Sequence, residues 1–380
     1  MKILLIGEYS HLHNSLKKAL LQLGHEVVLL GTGDGFKNYP VDVDISSQKW
    51  HHFWQKYFYL SINKLVGYNQ FKKDCFNQLM SFIPRLKDFD LVQLINVDPF
   101  MLPPDDMMLF YKELFQQNIP VFLSACGEDS HIIQYYGAGG MRYSILDPYK
   151  DNSIHKEEAL FSYRFLDNKN VALYHFVIDN VKAIIPSDLD YAIPYSNVSK
   201  AVPMIPNPVD VDSIVFKPLI INDKICIFFG INRHSFYKKG GDIVLKVLDR
   251  IEKAFGEKVQ IALAENLAYD TYMKRFDDTH IFIDQLYSYD QGYNALEAMA
   301  KGKCVFTGAE KEFVERYNLS KPVAVNVLPD ETDLYHKLVK LIENPENIIE
   351  IGENARNFVE KHHNYIEIAK KYLEVWHNKT

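Results

Sequence analysis

Residues 284–308 read DQLYSYDQGYNALEAMAKGKCVFTG. The run divides into a loop ending at Asp290 to Gly292, a helix carrying Asn294 and Glu297, a stop at Lys301 and Gly302, and the apolar strand CVFT. Loop, helix and buried strand in that order form one step of a parallel α/β sheet. A helix start gathers unpaired N–H groups and the positive end of the peptide dipoles, which suits a phosphate. Glu297 shares a face with Asn294 by i, i+3 spacing. A carboxylate there can accept hydrogen bonds from a sugar diol while the helix start holds phosphates.

Working outward, the same architecture continues on both sides. KICIFF (224–229) predicts a strand, 242–255 a helix, 259–264 a strand, 268–276 a helix and 280–284 a strand. Beyond the opening run come a strand at 323–327 and a helix at 331–343. The loop GINRHSFYKKGGD (230–242) gathers Arg233, Lys238 and Lys239 ahead of Gly240 and Gly241. Cations and glycine before a helix start make a pyrophosphate clamp; a solvated basic loop is the plainer alternative. The loop is not the Walker pattern, because no Gly-Lys-Ser/Thr follows.

The first half repeats the theme. KILLI (2–6) is a short apolar run ending in Gly7, the pattern of a fully buried parallel strand. Residues 14–23 predict a helix with Leu16, Leu20 and Leu23 on one stripe, and EVVLL (26–30) a second strand. The loop after the first strand lacks GxGxxG, so a dinucleotide fingerprint is absent. LVQLI (91–95) and VFLSA (121–125) predict strands flanking a helix at 104–117. CGEDSHII (126–133) then places Gly127, Glu128, Asp129 and His131 just past the carboxyl end of a central strand, where open α/β sheets carry ligand chemistry. The competing assignment makes Asp129 or Ser130 a helix cap. Residues 135–170 read as irregular with short helices or a lid, 168–181 as helix and 183–186 as strand. Residues 50–86, aromatic and basic, read either as a helical insertion or as a membrane-surface element. The proline-punctuated run 191–217 reads as a domain linker.

Composition bounds these readings. The chain has 380 residues, 47% hydrophobic and 24% charged, which fits two globular domains. A net charge of −7 argues against nucleic acid as the main partner. The four cysteines, Cys75, Cys126, Cys226 and Cys304, are far apart and read as free thiols. No CxxC or HExxH occurs, and no metal site is expected. The chain runs from Met1 straight into a strand and has no apolar run of about 18 residues. A cytoplasmic protein is therefore expected, with peripheral contact at the inner face of a membrane compatible with it.

Arg233 with Lys239–Gly240, Gly292 and the run LEAMA (296–300) resemble the retaining, nucleotide-sugar-dependent glycosyltransferases of the GT-B fold, most closely family 4. In that family Gly-Arg and Lys-Gly follow the first strand of the second domain, with Lys238 here as a register alternative. The resemblance implies two Rossmann-like domains facing each other across a cleft, with a last helix returning to the first domain through Tyr365, Ile368, Tyr372 and Trp376. The expected boundaries are 1–200 for an acceptor domain, 201–362 for a donor domain and 363–380 for the returning helix. Gly7 and Gly127 would line the acceptor side. The family's paired glutamates lie eight residues apart; Glu297 matches the second, but Tyr289 stands where the first belongs, with Asp290 next to it.

The reaction implied is transfer of a sugar from a nucleoside-diphosphate sugar to a glycan or lipid-linked hydroxyl. Cell-envelope polysaccharide synthesis is the expected setting, and the nucleotide sugar is a substrate rather than a cofactor. Arg233 and Lys239 would stabilise the departing diphosphate, helped by Lys238, Gly240, Gly292 and Asn294. Glu297 would hold the ribose, and Tyr289 or Asp290 the transferred sugar. The leaving phosphate would help deprotonate the acceptor, with Asp129 or His131 as the candidate assisting base. A sugar-nucleotide epimerase and a non-catalytic sugar-nucleotide-binding protein are the alternatives.

Overall fold

The computed structural model describes residues 1–33, 39–46, 69–150, 156–265 and 276–379. Two parallel sheets organise them. The first has the order β3-β2-β1-β4-β5-β6, from β1 Lys2–Ile6, β2 Glu26–Gly31, β3 Val43–Asp44, β4 Leu91–Leu94, β5 Val121–Ala125 and β6 Ile184–Pro186. The second has the order β11-β10-β9-β7-β8, from β7 Ile225–Ile231, β8 Val259–Glu265, β9 Ile281–Ile283, β10 Cys304–Thr307 and β11 Val325–Asn326. All neighbouring pairs are parallel. Helices flank both sheets, and the arrangement is the expected GT-B fold.

Strand β1 shows why the apolar runs are continuous rather than alternating. Leu4 and Ile6 enter one core, Ile3 and Leu5 the opposite one, and all four are fully buried. Gly7 ends the strand with φ +85°, and a Cβ there would stand 2.3 Å from Ile95 Cγ2. Only glycine fits that turn.

Among the described residues the helices are α1 Leu12–Gln22, α2 Gln70–Phe82, α3 Pro104–Gln116, α4 Ser130–Gly137, α5 Lys156–Tyr163, α6 Asn168–Asn180, α7 Leu189–Tyr195, α8 Gly241–Phe255, α9 Tyr293–Ala300, α10 Lys311–Tyr317, α11 Glu331–Glu343, α12 Glu346–His362 and α13 Tyr365–Lys379. Helix α13 packs Tyr365, Ile368, Ala369, Tyr372 and Trp376 against Ile3, Leu5, Leu16 and Phe122 of the first domain. The crossing is pinned where Val209 N–H donates to His363 O at 2.7 Å and His363 Nδ1–H donates to Asn207 O at 2.9 Å. No helix among the described residues is long and apolar enough to cross a membrane.

One expectation is corrected. The run 191–217 is not linker throughout, because its first five residues belong to α7 with Pro194 inside the helix. Pro194 supplies no N–H for the carbonyl of Asp190, and Tyr136 Oη–H donates to that oxygen instead, at 2.8 Å. The C-terminal tail is helical, in two helices parted at His363 and Asn364. Helix α10 was not anticipated. The expected helix at 268–276, apart from Phe276, and the part 50–68 of the aromatic, basic run 50–86 lie outside the described residues, while the rest of that run holds α2.

Candidate functional site

On the second domain, β9 leads through a loop to Gly292, which caps α9 in an extended conformation (φ −69°, ψ 167°). The helix buries Ala295, Leu296, Ala298, Met299 and Ala300, leaving Asn294 exposed and Glu297 half-buried one turn along. The basic loop lies beside this helix start. Leu286 N–H donates to Lys239 O at 3.1 Å, stitching the two loops together. Gly240 takes φ +74°, and a Cβ on it would stand 2.7 Å from Leu286 Cδ1. Lys239 Nζ binds Asp284 Oδ1 at 2.7 Å, and Asp284 Oδ2 comes within 3.4 Å of where a Gly292 Cβ would be. Lys239, Asp284 and the start of α9 therefore converge.

Arg233 is not part of that convergence. Its Nε and Nη2 donate to the two oxygens of Glu265 at 2.5 and 2.8 Å, on the surface. The pairing holds the guanidinium more firmly protonated and Glu265 below the usual carboxylate range. Lys238 points the other way from Lys239. Its ammonium pairs with Glu128 of the first domain and lies 4.9 Å from the Phe161 ring centroid.

On the first domain, Gly127 follows β5 with φ +97°, its Cβ position 3.6 Å from Asn96 Nδ2 and from the Tyr9 ring. Asp129 is buried and caps α4: Oδ1 accepts from Ile132 N–H at 2.9 Å, and Oδ2 from Tyr195 Oη–H at 2.6 Å. Burial pushes its carboxyl up against the pull of those bonds. His131 Nε2–H donates to Pro194 O at 2.8 Å, and the ring stacks on Tyr174. Both side chains are engaged inside the first domain, so the capping assignment for Asp129 holds in this structure.

Tyr289 and Asp290 are closed into the interface between the domains. Tyr289 N–H donates to Asp190 Oδ1 at 2.9 Å, and its hydroxyl oxygen accepts from Arg142 N–H at 2.7 Å. Asp290 Oδ2 accepts from Leu189 N–H at 3.2 Å, and Oδ1 from its neighbour Gln291 N–H at 2.7 Å. Burial pushes Asp290 up to about 6 and Asp190 up to about 7. Asp188 beside them is raised too, by burial and then by these two carboxylates. Arg142 continues the interface to Glu310 at 2.6 Å and Glu312 at 2.5 Å. Tyr293, the first residue of α9, donates or accepts at Ser15 Oγ, 2.7 Å away, and donates to Pro208 O.

Sequence reasoning missed Asp284, Arg142 and Glu310, and it placed Glu128 at the strand end without giving it a role of its own. Asp284 had a legible signal, since it follows β9 at its carboxyl end. Arg142 and Glu310 had none, because their contact joins residues 168 positions apart.

Comparison with known proteins agrees with this architecture. A family model described as "Glycosyl transferase-like" matches residues 240–374. No functionally curated protein matches the chain. Among solved structures, Anabaena HepE in complex with UDP-glucose superposes over the whole of both chains with TM-score 0.59 and 12% identity. Sucrose-phosphate synthase from Thermosynechococcus elongatus gives TM-score 0.61 and 13% identity, covering 100% of this chain and 99% of that one. UDP-GlcNAc 2-epimerase from Neisseria meningitidis, bound to UDP-GlcNAc, gives 0.53 and 14% over the whole of both chains. Likeness at these identities establishes a shared fold.

Proposed function

We propose that this protein is a retaining glycosyltransferase that binds a nucleoside-diphosphate sugar and moves the sugar to a hydroxyl of a glycan or lipid-linked acceptor. The observation that carries this reading is the convergence of Lys239, Asp284 and the start of α9, with Glu297 one turn along the same helix. Breaking the anomeric bond puts negative charge on the departing diphosphate. In this reading Lys239 and the N–H groups following Gly292 stabilise that charge, and Glu297 offers oxygens to the ribose diol. Asp284 holds Lys239 in place. Arg233 joins this set only by leaving Glu265. The family model over residues 240–374 supports transfer rather than epimerisation. The complexes with UDP and UDP-glucose in structures of the same fold make uridine sugars the first donors to try. Cell-envelope polysaccharide assembly at the cytoplasmic face of a membrane is the setting this reading carries with it.

The test is a calorimetric panel of nucleoside diphosphates and their sugars, followed by product analysis with and without acceptor extract. Specific binding of one nucleotide, with diphosphate release dependent on acceptor, is the expected result. Conversion of the sugar without acceptor would make the protein an epimerase. Binding without any release would make it a non-catalytic sugar-nucleotide-binding protein, the alternative that Tyr289 in the first glutamate position motivates.

A further inference from the structure

Glu128 is the one residue of the run CGEDSHII whose carboxylate reaches across to the second domain. It stands between the end of β5 and the start of α4. Oε1 pairs with Lys238 Nζ, and Lys238 is itself buried under the Phe161 ring. Glu158 fixes the same loop from the other side, accepting from Lys238 N–H at 3.1 Å and Tyr237 N–H at 3.4 Å. Lys238 is thus held at both its backbone and its ammonium, and Glu128 is aimed by it. The second oxygen, Oε2, is buried and has no hydrogen-bond partner among the described residues. A buried carboxylate oxygen left unpaired is costly and calls for an explanation. The loop it faces continues directly into Lys239, the cation beside the start of α9.

We propose that Glu128 is the acceptor-side catalytic residue, its Oε2 receiving the attacking hydroxyl; this rests on the transferase reading above. The bond from the acceptor oxygen to the anomeric carbon forms as the bond to the diphosphate breaks. The bonding pair leaves on the diphosphate oxygen, and the hydroxyl proton passes to Oε2. Lys238 keeps the carboxylate pointed while the domains are together, which couples acceptor activation to domain closure. Asp129 and His131, the neighbours with the more obvious chemistry, are already bonded within the first domain.

Glu128→Gln is the informative variant, because the amide oxygen can still accept from Lys238 while the amide nitrogen replaces the free acceptor. Nucleoside-diphosphate affinity should stay within about twofold, whereas transfer at saturating acceptor should fall about 100-fold or more. In Glu128→Ala, added formate should restore part of the transfer by supplying the missing carboxylate. If Glu128 only tethers the domains, formate will restore nothing in Glu128→Ala, which overturns the assignment. Unchanged transfer in Glu128→Gln overturns it as well, with the transferase reading intact. A wild-type protein that transfers to no acceptor removes both.

Discussion

Lys239 links stability to the proposed chemistry more directly than any other residue of the candidate site. Asp284 is 3% exposed, and Lys239 is the cation bonded to it. Lys239→Met should cost about 1–3 kcal/mol in a denaturant titration, the penalty of leaving a buried acceptor unpaired. It should also lower turnover about 10²- to 10³-fold if it stabilises the leaving diphosphate. Adding Asp284→Asn should recover stability but not turnover; recovery of both would remove Lys239 from the chemistry. Gly240→Ala tests the loop itself. It forces a side chain into φ +74° and sets a Cβ 2.7 Å from Leu286, so a loss of about 1–3 kcal/mol is expected by calorimetry. At this scale the sequence brought Lys239 and the start of α9 together, but it did not show where Arg233, Lys238 and Asp129 would turn. Motif spacing finds a lysine before a glycine and a helix start, but the direction of a side chain depends on what packs around it. Lys238 and Lys239 are adjacent and point to different domains. Asp129 had the more suggestive position, yet its backbone placement at the start of α4 turned its carboxylate inward to the cap, leaving Glu128 to reach outward.

The secondary elements were more legible than the side chains, because burial on both faces leaves an apolar run that has few other uses. KILLI, VFLSA and KICIFF became β1, β5 and β7 within a residue or two. Where the reading failed, a local rule was overridden by a tertiary contact. Pro194 signals a break, but the Tyr136 hydroxyl satisfies the carbonyl that proline leaves unpaired, so α7 persists. Helix α10 has only seven residues and buries only Phe313, too little periodicity to stand out. Helix α13 shows the opposite case, a strong stripe whose partner lies at the other end of the chain. Trp376 is fully buried against Phe122, and its indole N–H donates to Gln93 Oε1 at 3.0 Å. Trp376→Ala should destabilise the protein by about 3–5 kcal/mol. Trp376→Phe should recover most of the packing but leave Gln93 without its donor. Equal melting temperatures for Trp376→Ala and wild type would show that α13 is dispensable to the first domain.

The two domains meet through contacts that no sequence period encodes, and their chemistry makes the meeting sensitive to pH. From the first domain come Asp188 and Asp190, and from the second Asp290, Tyr289 and, as the facing cation, Arg316. Burial comes first among the causes that raise all three carboxyls, with Asp190 pushed up to about 7 and Asp290 up to about 6, against an ordinary 3.8. A carboxyl raised by docking binds its proton more tightly in the docked form. The stabilisation it contributes is therefore complete below the ordinary value and is lost as pH climbs through 6 and then 7. Glu310 and Glu312 work in the opposite sense. Burial raises Glu310, but its bonds from Tyr143, Asn326 and Arg142 outweigh this, while pairing with Arg142 lowers Glu312 directly. Their contribution fades only in stronger acid, outside the window of Asp190 and Asp290. The docked arrangement should thus be firmer at mildly acidic pH than above neutrality. Asp190→Asn isolates the effect, because Asn Oδ1 still accepts from Tyr289 N–H while the titrating charge is gone. Thermal midpoints and small-angle scattering followed from acidic to alkaline pH should show wild-type protein loosening as pH rises and the variant changing less. A wild-type curve that is flat across neutrality, or a variant as steep as wild type, would mean that these carboxylates do not set the strength of domain docking.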